Sequence, residues 1–244
     1  MKKHILMLLD ATFPTDIRVE KEMNALVAKG FQLSIICHYE TNKPVEEKWS
    51  DVYIYRYVNI NNSLVKAINA FIANLIFRNF LFIKAINKIA KKRQIHFIHV
   101  HDLPLVNTAI ILRKKLAIKV IFDCHENFPE ALQAWHKWNI FSLKNSIKQY
   151  VFGYKRWLNY EKRALEKSDA SIVVVKEMKE RMISLHHIPA NKLTVVSNTE
   201  PKSFNKSPSF FLSLSLSLLS LSLVSLSILS SSNIKGSNEN SLKP

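Results

Sequence analysis

The chain has 244 residues, enough for one large or two small domains, and 48% of them are hydrophobic, so a substantial core can form. Lys and Arg number 35 against 19 acids, a formal charge of +16 that points to an anionic partner: a membrane surface, nucleic acid or a phosphorylated small molecule. With only three glycines, the chain has neither a G-x-G-x-x-G turn nor a P-loop, which excludes a self-sufficient dinucleotide or ATP site, and no resident cofactor is expected.

The first apolar run, Ile5–Leu9, stops at Asp10, too short for a signal-peptide core and better read as a strand. A helical stretch, 16–29, is closed by Gly30, where a helix ends in a left-handed residue. Gln32–Cys37 is apolar on both faces, as a strand covered on both sides should be, and Val52–Tyr57 reads as a strand nearer an edge. One long helix is expected over 63–93. Strand Phe97–Val100, helix 103–116, strand Lys119–Asp123, helices between 126 and 167, strand Ala170–Val175, helix 176–186 and strand Leu193–Val196 complete the series. Short β-branched runs alternating with helices require crossover connections. The fold class is therefore α/β, a Rossmann-like, doubly wound parallel sheet over 1–207. Cys37 and Cys124 each end an apolar run and read as buried free thiols in a reducing compartment, so a cytoplasmic location is expected.

Two segments stand out by charge. Residues 63–93 contain no acid but hold Lys66, Arg78, Lys84, Lys88, Lys91, Lys92 and Arg93. At about 100° per residue Lys66, Lys84, Lys88 and Lys91 share one face with Phe77, Phe80 and Leu81. Residues 135–160 are also acid-free and set Trp135, Trp138, Tyr150, Phe152, Tyr154 and Trp157 among five bases. Mixed basic and aromatic helix faces suit the headgroup region of an anionic bilayer, and a peripheral position on the inner membrane face follows as an expectation. No helix-turn-helix, zinc-finger or aromatic RNA-binding pattern accompanies the charge, so nucleic acid is not an expected partner. From 208 onward the composition turns to a Ser/Leu low-complexity tail, with thirteen apolar residues and seven serines over 210–229. This tail reads as no part of the fold.

In an open parallel sheet, ligands bind beyond the carboxyl ends of the strands. Those ends carry Asp10, His38, the run His99-Val-His101-Asp102-Leu-Pro104, the run Asp123-Cys-His125-Glu126-Asn127-Phe-Pro-Glu130, and Asn198. Histidines and carboxylates on one rim mark a site that handles protons or hydroxyls. Asp102 and Glu126, just ahead of helices, serve equally well as first-turn acids. His99 and His101 at i, i+2 on one strand, with Asp123 and His125, leave a metal-dependent hydrolase as an alternative.

The segments Met-Leu-Leu-Asp10, Phe13-Pro-Thr-Asp-Ile-Arg18-Val-Glu-Lys-Glu22, His99-Val-His-Asp-Leu-Pro104, Phe122-Asp-Cys-His-Glu-Asn-Phe-Pro-Glu130, Lys167-Ser-Asp-Ala-Ser-Ile-Val-Val-Val175 and Val195-Val-Ser-Asn198 come in this order. The chain resembles the N-terminal domain of family 4 glycosyltransferases, GT-B enzymes built of two facing Rossmann-like domains, over about residues 2–206. The resemblance implies that His125 is the catalytic histidine approaching the transferred sugar. It also implies that His101 and Asp102 line the interdomain cleft, that Arg18 faces it to meet phosphate or acceptor, and that Glu126 and Asn198 join the substrate-binding set, with Thr199 standing where glycine is common. By the same resemblance this half binds a glycan or lipid-linked acceptor, while a separate donor half holds the nucleotide-sugar through a Lys/Arg pair and an E-x7-E motif. No such half follows Asn198. A separately encoded donor domain is the expected partner, and no transfer is expected from this chain alone. A non-catalytic acceptor-binding module is the remaining alternative.

Overall fold

A computed structural model describes residues 2–14, 17–58, 63–135 and 149–197; the side chains of Ser63 and Trp135 are outside this set. Asn198, the segment 136–148 with Trp138, and the tail 208–244 therefore lie outside the described residues. The described chain runs β1 (His4–Leu8), α1 (Ile17–Ala28), β2 (Gln32–His38), β3 (Glu46–Trp49), β4 (Val52–Val58), α2 (Ser63–Ile76), α3 (Phe80–Lys92), β5 (Phe97–His101), α4 (Val106–Ile110), α5 (Arg113–Leu116), β6 (Lys119–Cys124), α6 (Phe128–Trp135), α7 (Tyr154–Lys167), β7 (Ala170–Val173), α8 (Lys176–His186) and β8 (Leu193–Val195). Eight strands form one sheet in the order β3-β4-β2-β1-β5-β6-β7-β8, parallel throughout except for the β3–β4 pair. The order climbs outward from β1 through β2 to β4, then restarts beside β1 with β5. That reversal places a crevice above the carboxyl ends of β1 and β5.

β1 shows why the sheet is covered on both faces. Ile5, Met7 and Leu9 enter the core cluster that includes Val19 and Met23 of α1, while Leu6 and Leu8 enter the opposite one with Phe82 and Ile86 of α3. All five are buried, so the strand reads as a continuous apolar run. Each such side chain contributes about 1.5–3 kcal/mol of burial free energy. Gly30 stands at φ +84 and donates its N–H to the Val27 carbonyl at 2.8 Å, ending α1 as its position predicts.

Three expectations are corrected. β3, Glu-Glu-Lys-Trp, is absent from the sequence reading because a short charged segment carries no apolar run; it is an antiparallel edge strand, where charge protects an unpaired margin. The helix expected over 103–116 is three short pieces, a 3₁₀ turn at Leu103–Leu105 followed by α4 and α5, and Ala117 closes it at φ +52. The single helix expected over 63–93 is two, α2 and α3, bent by 87°. Phe77 leaves helical geometry at φ +53 and is buried, stacking on Tyr160 at 3.8 Å and meeting Trp157 edge-on at 4.9 Å. Asn79 then starts α3, its side-chain oxygen accepting from the Leu81 and Phe82 N–H groups at 3.1 and 3.5 Å. Lys66 and the lysines of α3 therefore do not share a helix face. Among the described residues no single helix is long and apolar enough to cross a membrane.

Trp157 is fully buried, its indole N–H donating to the Val151 carbonyl at 2.9 Å, and Phe152 packs on the core. Those two members of the 135–160 segment belong to the interior, whereas Tyr150 is exposed. Cys37 and Cys124 are buried free thiols; burial pushes Cys37 up to about 12 and Cys124 well above its ordinary value.

Candidate functional site

Four chain segments converge on the crevice. Register pairs His101 of β5 with Asp123 of β6, so both stand at the same height near the carboxyl ends of their strands. Because strand side chains alternate, His99 and His101 fall on one face, their rings stacked with centroids 4.6 Å apart. His125, two residues beyond Asp123, stacks on His101 at 5.4 Å. From the other side comes α1, whose first turn carries Arg18 and whose second carries Glu22, four residues on and therefore on the same helix face.

The Asp123 carboxylate is the hub. Its Oδ2 lies 2.9 Å from His125 Nε2, 3.2 Å from His101 Nδ1 and 3.3 Å from His99 Nε2. Burial alone would raise the pKa of Asp123, but the three imidazoles hold it well below the usual carboxylate range. The histidines divide. Burial takes His101 down to about 4, so it is neutral at physiological pH. Burial also opposes charge on His99 and His125, yet the bond to Asp123, with the charges of Glu22 and Asp102 respectively, leaves both raised. With Nε2 of His125 and Nδ1 of His101 turned to Asp123, the opposite nitrogens, His125 Nδ1 and His101 Nε2, are buried without a hydrogen-bond partner among the described residues. A buried, unsatisfied ring nitrogen costs free energy and is ready to receive a hydroxyl.

Asp102 has φ +68 and ψ 151, a region that glycine occupies easily and other residues rarely. Its side chain makes no cap bond to the turn that follows, and α6 begins two residues after Glu126 with Glu130 as its first-turn acid. Asp102 thus stands at the N-cap position of that turn without a side-chain cap bond, and Glu126 precedes the first turn of α6. Burial raises Asp102 to about 6 and raises Glu126 as well, while Arg18 pulls both back down. Arg18, His101, Asp102, His125 and Glu126 thus form one electrostatic group on the rim. At its flank His38 Nε2 meets Asp10 Oδ1 at 2.6 Å. This arrangement offers a cationic guanidinium for a phosphate or carboxylate, and a bare imidazole nitrogen and carboxylates for sugar hydroxyls.

Two contributors were not singled out from the residues. Glu22, inside the quoted Arg18-Val-Glu-Lys-Glu22 segment, lies 3.4 Å from His99 Nε2 and 3.9 Å from His101 Nε2. With His99, His101 and Asp123 it offers four ligand atoms within 4.8 Å, a set that fits a divalent cation and in which Glu22 replaces the expected His125. The i, i+4 spacing of Arg18 and Glu22 was the available signal. Arg56, 1% exposed on β4, donates to the Phe13 and Pro44 carbonyls at 3.3 and 2.8 Å and pairs with Glu47 at 2.8 Å, tethering the loop ahead of α1. A basic residue in mid-strand gave no sign of this.

The family model for glycosyltransferase family 4 matches residues 18–199. The chain belongs to that family. As a family 4 domain it shares its fold with solved glycosyltransferases. A form of sucrose-phosphate synthase from Thermosynechococcus elongatus superposes at TM-score 0.53 with 14% identity, over 93% of this chain and 99% of that one. Another structure of that synthase gives 0.56 and 15%, over 82% of this chain and 49% of its own. UGT2 of Phytolacca americana, complexed with UDP-2-fluoro-glucose and pterostilbene, gives 0.51 and 8%, over 83% and 54%. Against the latter two this chain spans about half of the matched length. No curated protein matches the sequence significantly. The family 4 match and the sheet order agree that this is the Rossmann-like N-terminal half of a GT-B architecture.

Proposed function

We propose that residues 1–207 form the acceptor-side wall of a glycosyltransferase that moves a sugar from a nucleotide-sugar to a glycan or lipid-linked acceptor, in cell-surface polysaccharide synthesis on the cytoplasmic face of a membrane. The observation that carries this reading is the convergence of Arg18, His101, Asp102, His125 and Glu126 on the rim above β1, β5 and β6, with the bare Nδ1 of His125 among them. In this reading His125 approaches the transferred sugar, kept in one orientation and tautomer by Asp123; Asp102 and Glu126 accept from hydroxyls; Arg18 meets phosphate. Asn198 is proposed for the same substrate set from the sequence alone. Transfer also needs charge stabilisation on the departing diphosphate, which we assign to a donor-binding half outside residues 1–207. The purified 244-residue chain is therefore expected not to turn over nucleotide-sugar, and transfer is expected when a donor half is supplied. His125→Ala should lower that transfer by at least about 100-fold with the fold intact by circular dichroism. Turnover by the chain alone, lost on His125→Ala, would overturn the division of labour; unchanged transfer in His125→Ala would remove the role of the histidine.

A further inference from the structure

The inward face of α1 carries an acid. Val19 and Met23 enter one core cluster with Met7 of β1, and Glu22, three residues after Val19, falls within about 60° of it on the helix. Register sets Met7 beside His99, so α1 covers the sheet face that also holds His101 and, on the next strand, Asp123. Two imidazoles and two carboxylates therefore meet beneath one helix. The side chains of His99, His101 and Asp123 are 3%, 1% and 2% exposed, and Glu22, at 25%, faces the margin. Their spacing is not that of a closed hydrogen-bonded cluster. His99 Nε2 stands 3.3 Å from Asp123 Oδ2 and 3.4 Å from Glu22 Oε1, longer to each than the usual 2.7–3.2 Å. A nitrogen with one N–H to direct would close on one carboxylate. Two ligands of a tetrahedral zinc, at bonds of about 2.0–2.1 Å, stand about 3.3–3.4 Å apart. His101 turns Nδ1 to Asp123 Oδ2 at 3.2 Å and leaves Nε2 at 3.9 Å from Glu22 Oε2. That nitrogen and Asp123 Oδ1 are both buried with no hydrogen-bond partner among the described residues.

We infer that Glu22, His99, His101 and Asp123 bind one zinc ion, which fastens α1 to β5 and β6. Each of the four side chains offers a ligand atom within 4.8 Å of the others. Two imidazoles select a transition metal over magnesium or calcium, which take shells of oxygen. Two carboxylates balance the charge of a divalent ion against neutral imidazoles, so the filled site is neutral inside the fold. Protein ligands take all four tetrahedral positions and leave none for a reactive water. The ion is therefore structural, which separates this site from that of a metal-dependent hydrolase. Its effect is positional. Arg18 lies one helical turn before Glu22, and His125 lies two residues after Asp123, so the ion fixes the spacing between the two sides of the rim. The site stands whether or not the rim moves sugar.

Dialysis of the full chain against a chelator, followed by calorimetric titration with Zn²⁺, tests it. One ion per chain is expected, with Kd below about 1 μM. The melting temperature should rise by about 5–10 °C at free zinc about 100 times Kd. Co²⁺ in place of zinc should give the strong visible absorption of a four-coordinate ion, where a six-coordinate surface ion gives a faint one. Glu22→Gln should weaken zinc binding at least about tenfold and His99→Gln at least about 100-fold. His38→Asn, at the flank of the rim but outside the four, should leave it unchanged. Circular dichroism of the metal-free variants checks the fold, and Glu22→Gln, nearest the surface, carries the test alone if His99→Gln does not fold. No binding at micromolar zinc, unchanged affinity in Glu22→Gln, or a faint six-coordinate cobalt spectrum would each overturn the proposal. Zinc bound as described by a chain that transfers no sugar even with a donor half sinks the transfer reading alone. Transfer by a chain that binds no zinc sinks this proposal alone.

Discussion

Asp102 joins two costs that no helix or strand requires: a main-chain torsion suited to glycine and a carboxyl drawn into a buried place. Such costs persist where function selects them. Its pKa stands at about 6 in the fold against 3.8 when free, so between those values the folded chain holds a proton that the unfolded chain has lost. The stability tied to Asp102 is therefore fully present below about pH 4 and is lost as pH rises through about 6. His101 acts with the opposite sign: its folded value near 4 lies below 6.5, so its stability is present at neutral pH and is lost as pH falls through that window. Comparing Asp102→Asn with the parent isolates the first effect. A shift of this size corresponds to about 3 kcal/mol at full burial, and partial exposure reduces it to roughly 1–2 kcal/mol. The variant is expected to melt about 3–6 °C higher at pH 7.5 and at the parent temperature at pH 4, as followed by scanning calorimetry. A gain of the same size at both pH values would assign the effect to backbone strain rather than to charge.

Helix ends reveal which local patterns were readable. Gly30 in its left-handed cap is visible as a letter in the sequence, and the structure places it as expected. Ala117 plays the same role after α5 at φ +52, its N–H bonded to the Lys114 carbonyl, and Phe77 does so after α2 at φ +53. Neither residue advertises a stop. Alanine in the left-handed region is strained by about 1–2 kcal/mol, partly offset by the greater chain entropy that glycine loses on folding. Ala117→Gly is accordingly expected to stabilise by about 0.5–1 kcal/mol in urea unfolding, with an unchanged slope; destabilisation would mean that the methyl group packs. The same reasoning explains the missed break between α2 and α3. Nothing in Phe77-Arg-Asn79 forbids a helix, but burying Phe77 against Trp157 and Tyr160, together with the Asn79 cap and its N–H bond to Thr108 Oγ1 at 3.0 Å, outweighs continuing the helix through those three residues.

The helices behind β6–β8 are joined by a buried polar network rather than by apolar contact alone. Glu161 of α7 is completely buried and receives His186 Nε2 at 2.6 Å and Arg181 Nη1 at 2.9 Å, both from α8. Arg181 and Tyr154 also reach Glu130 of α6, the helix that follows the His125-Glu126 loop. Glu161→Ala takes the partner from the buried His186 and leaves Arg181 to Glu130 alone, and is expected to destabilise by about 3 kcal/mol. The loss should appear as one cooperative transition in denaturant, because the three helices cover a single sheet. A second, separate transition would show that α7 and α8 unfold independently of the rim.

The doubly wound sheet, the strand and helix order apart from β3 and the breaks within 63–93 and 103–116, and the polar residues at the strand ends were legible in the chain. Strand periodicity is local, and a parallel sheet necessarily delivers the residues after each strand to one edge. Asp10, His38, His101, Asp102, His125 and Glu126 follow from that rule alone. What each rim group does was not legible, because it depends on neighbours distant in the chain. The register of His101 on Asp123, the entry of Glu22 from α1 and the anchoring of the Phe13 loop by Arg56 join segments more than 20 residues apart. The outward exposure of Leu64, Ile68 and Ile72 on α2 is of the same kind. A helical pattern states which side chains share a face, and packing alone decides which face meets the core.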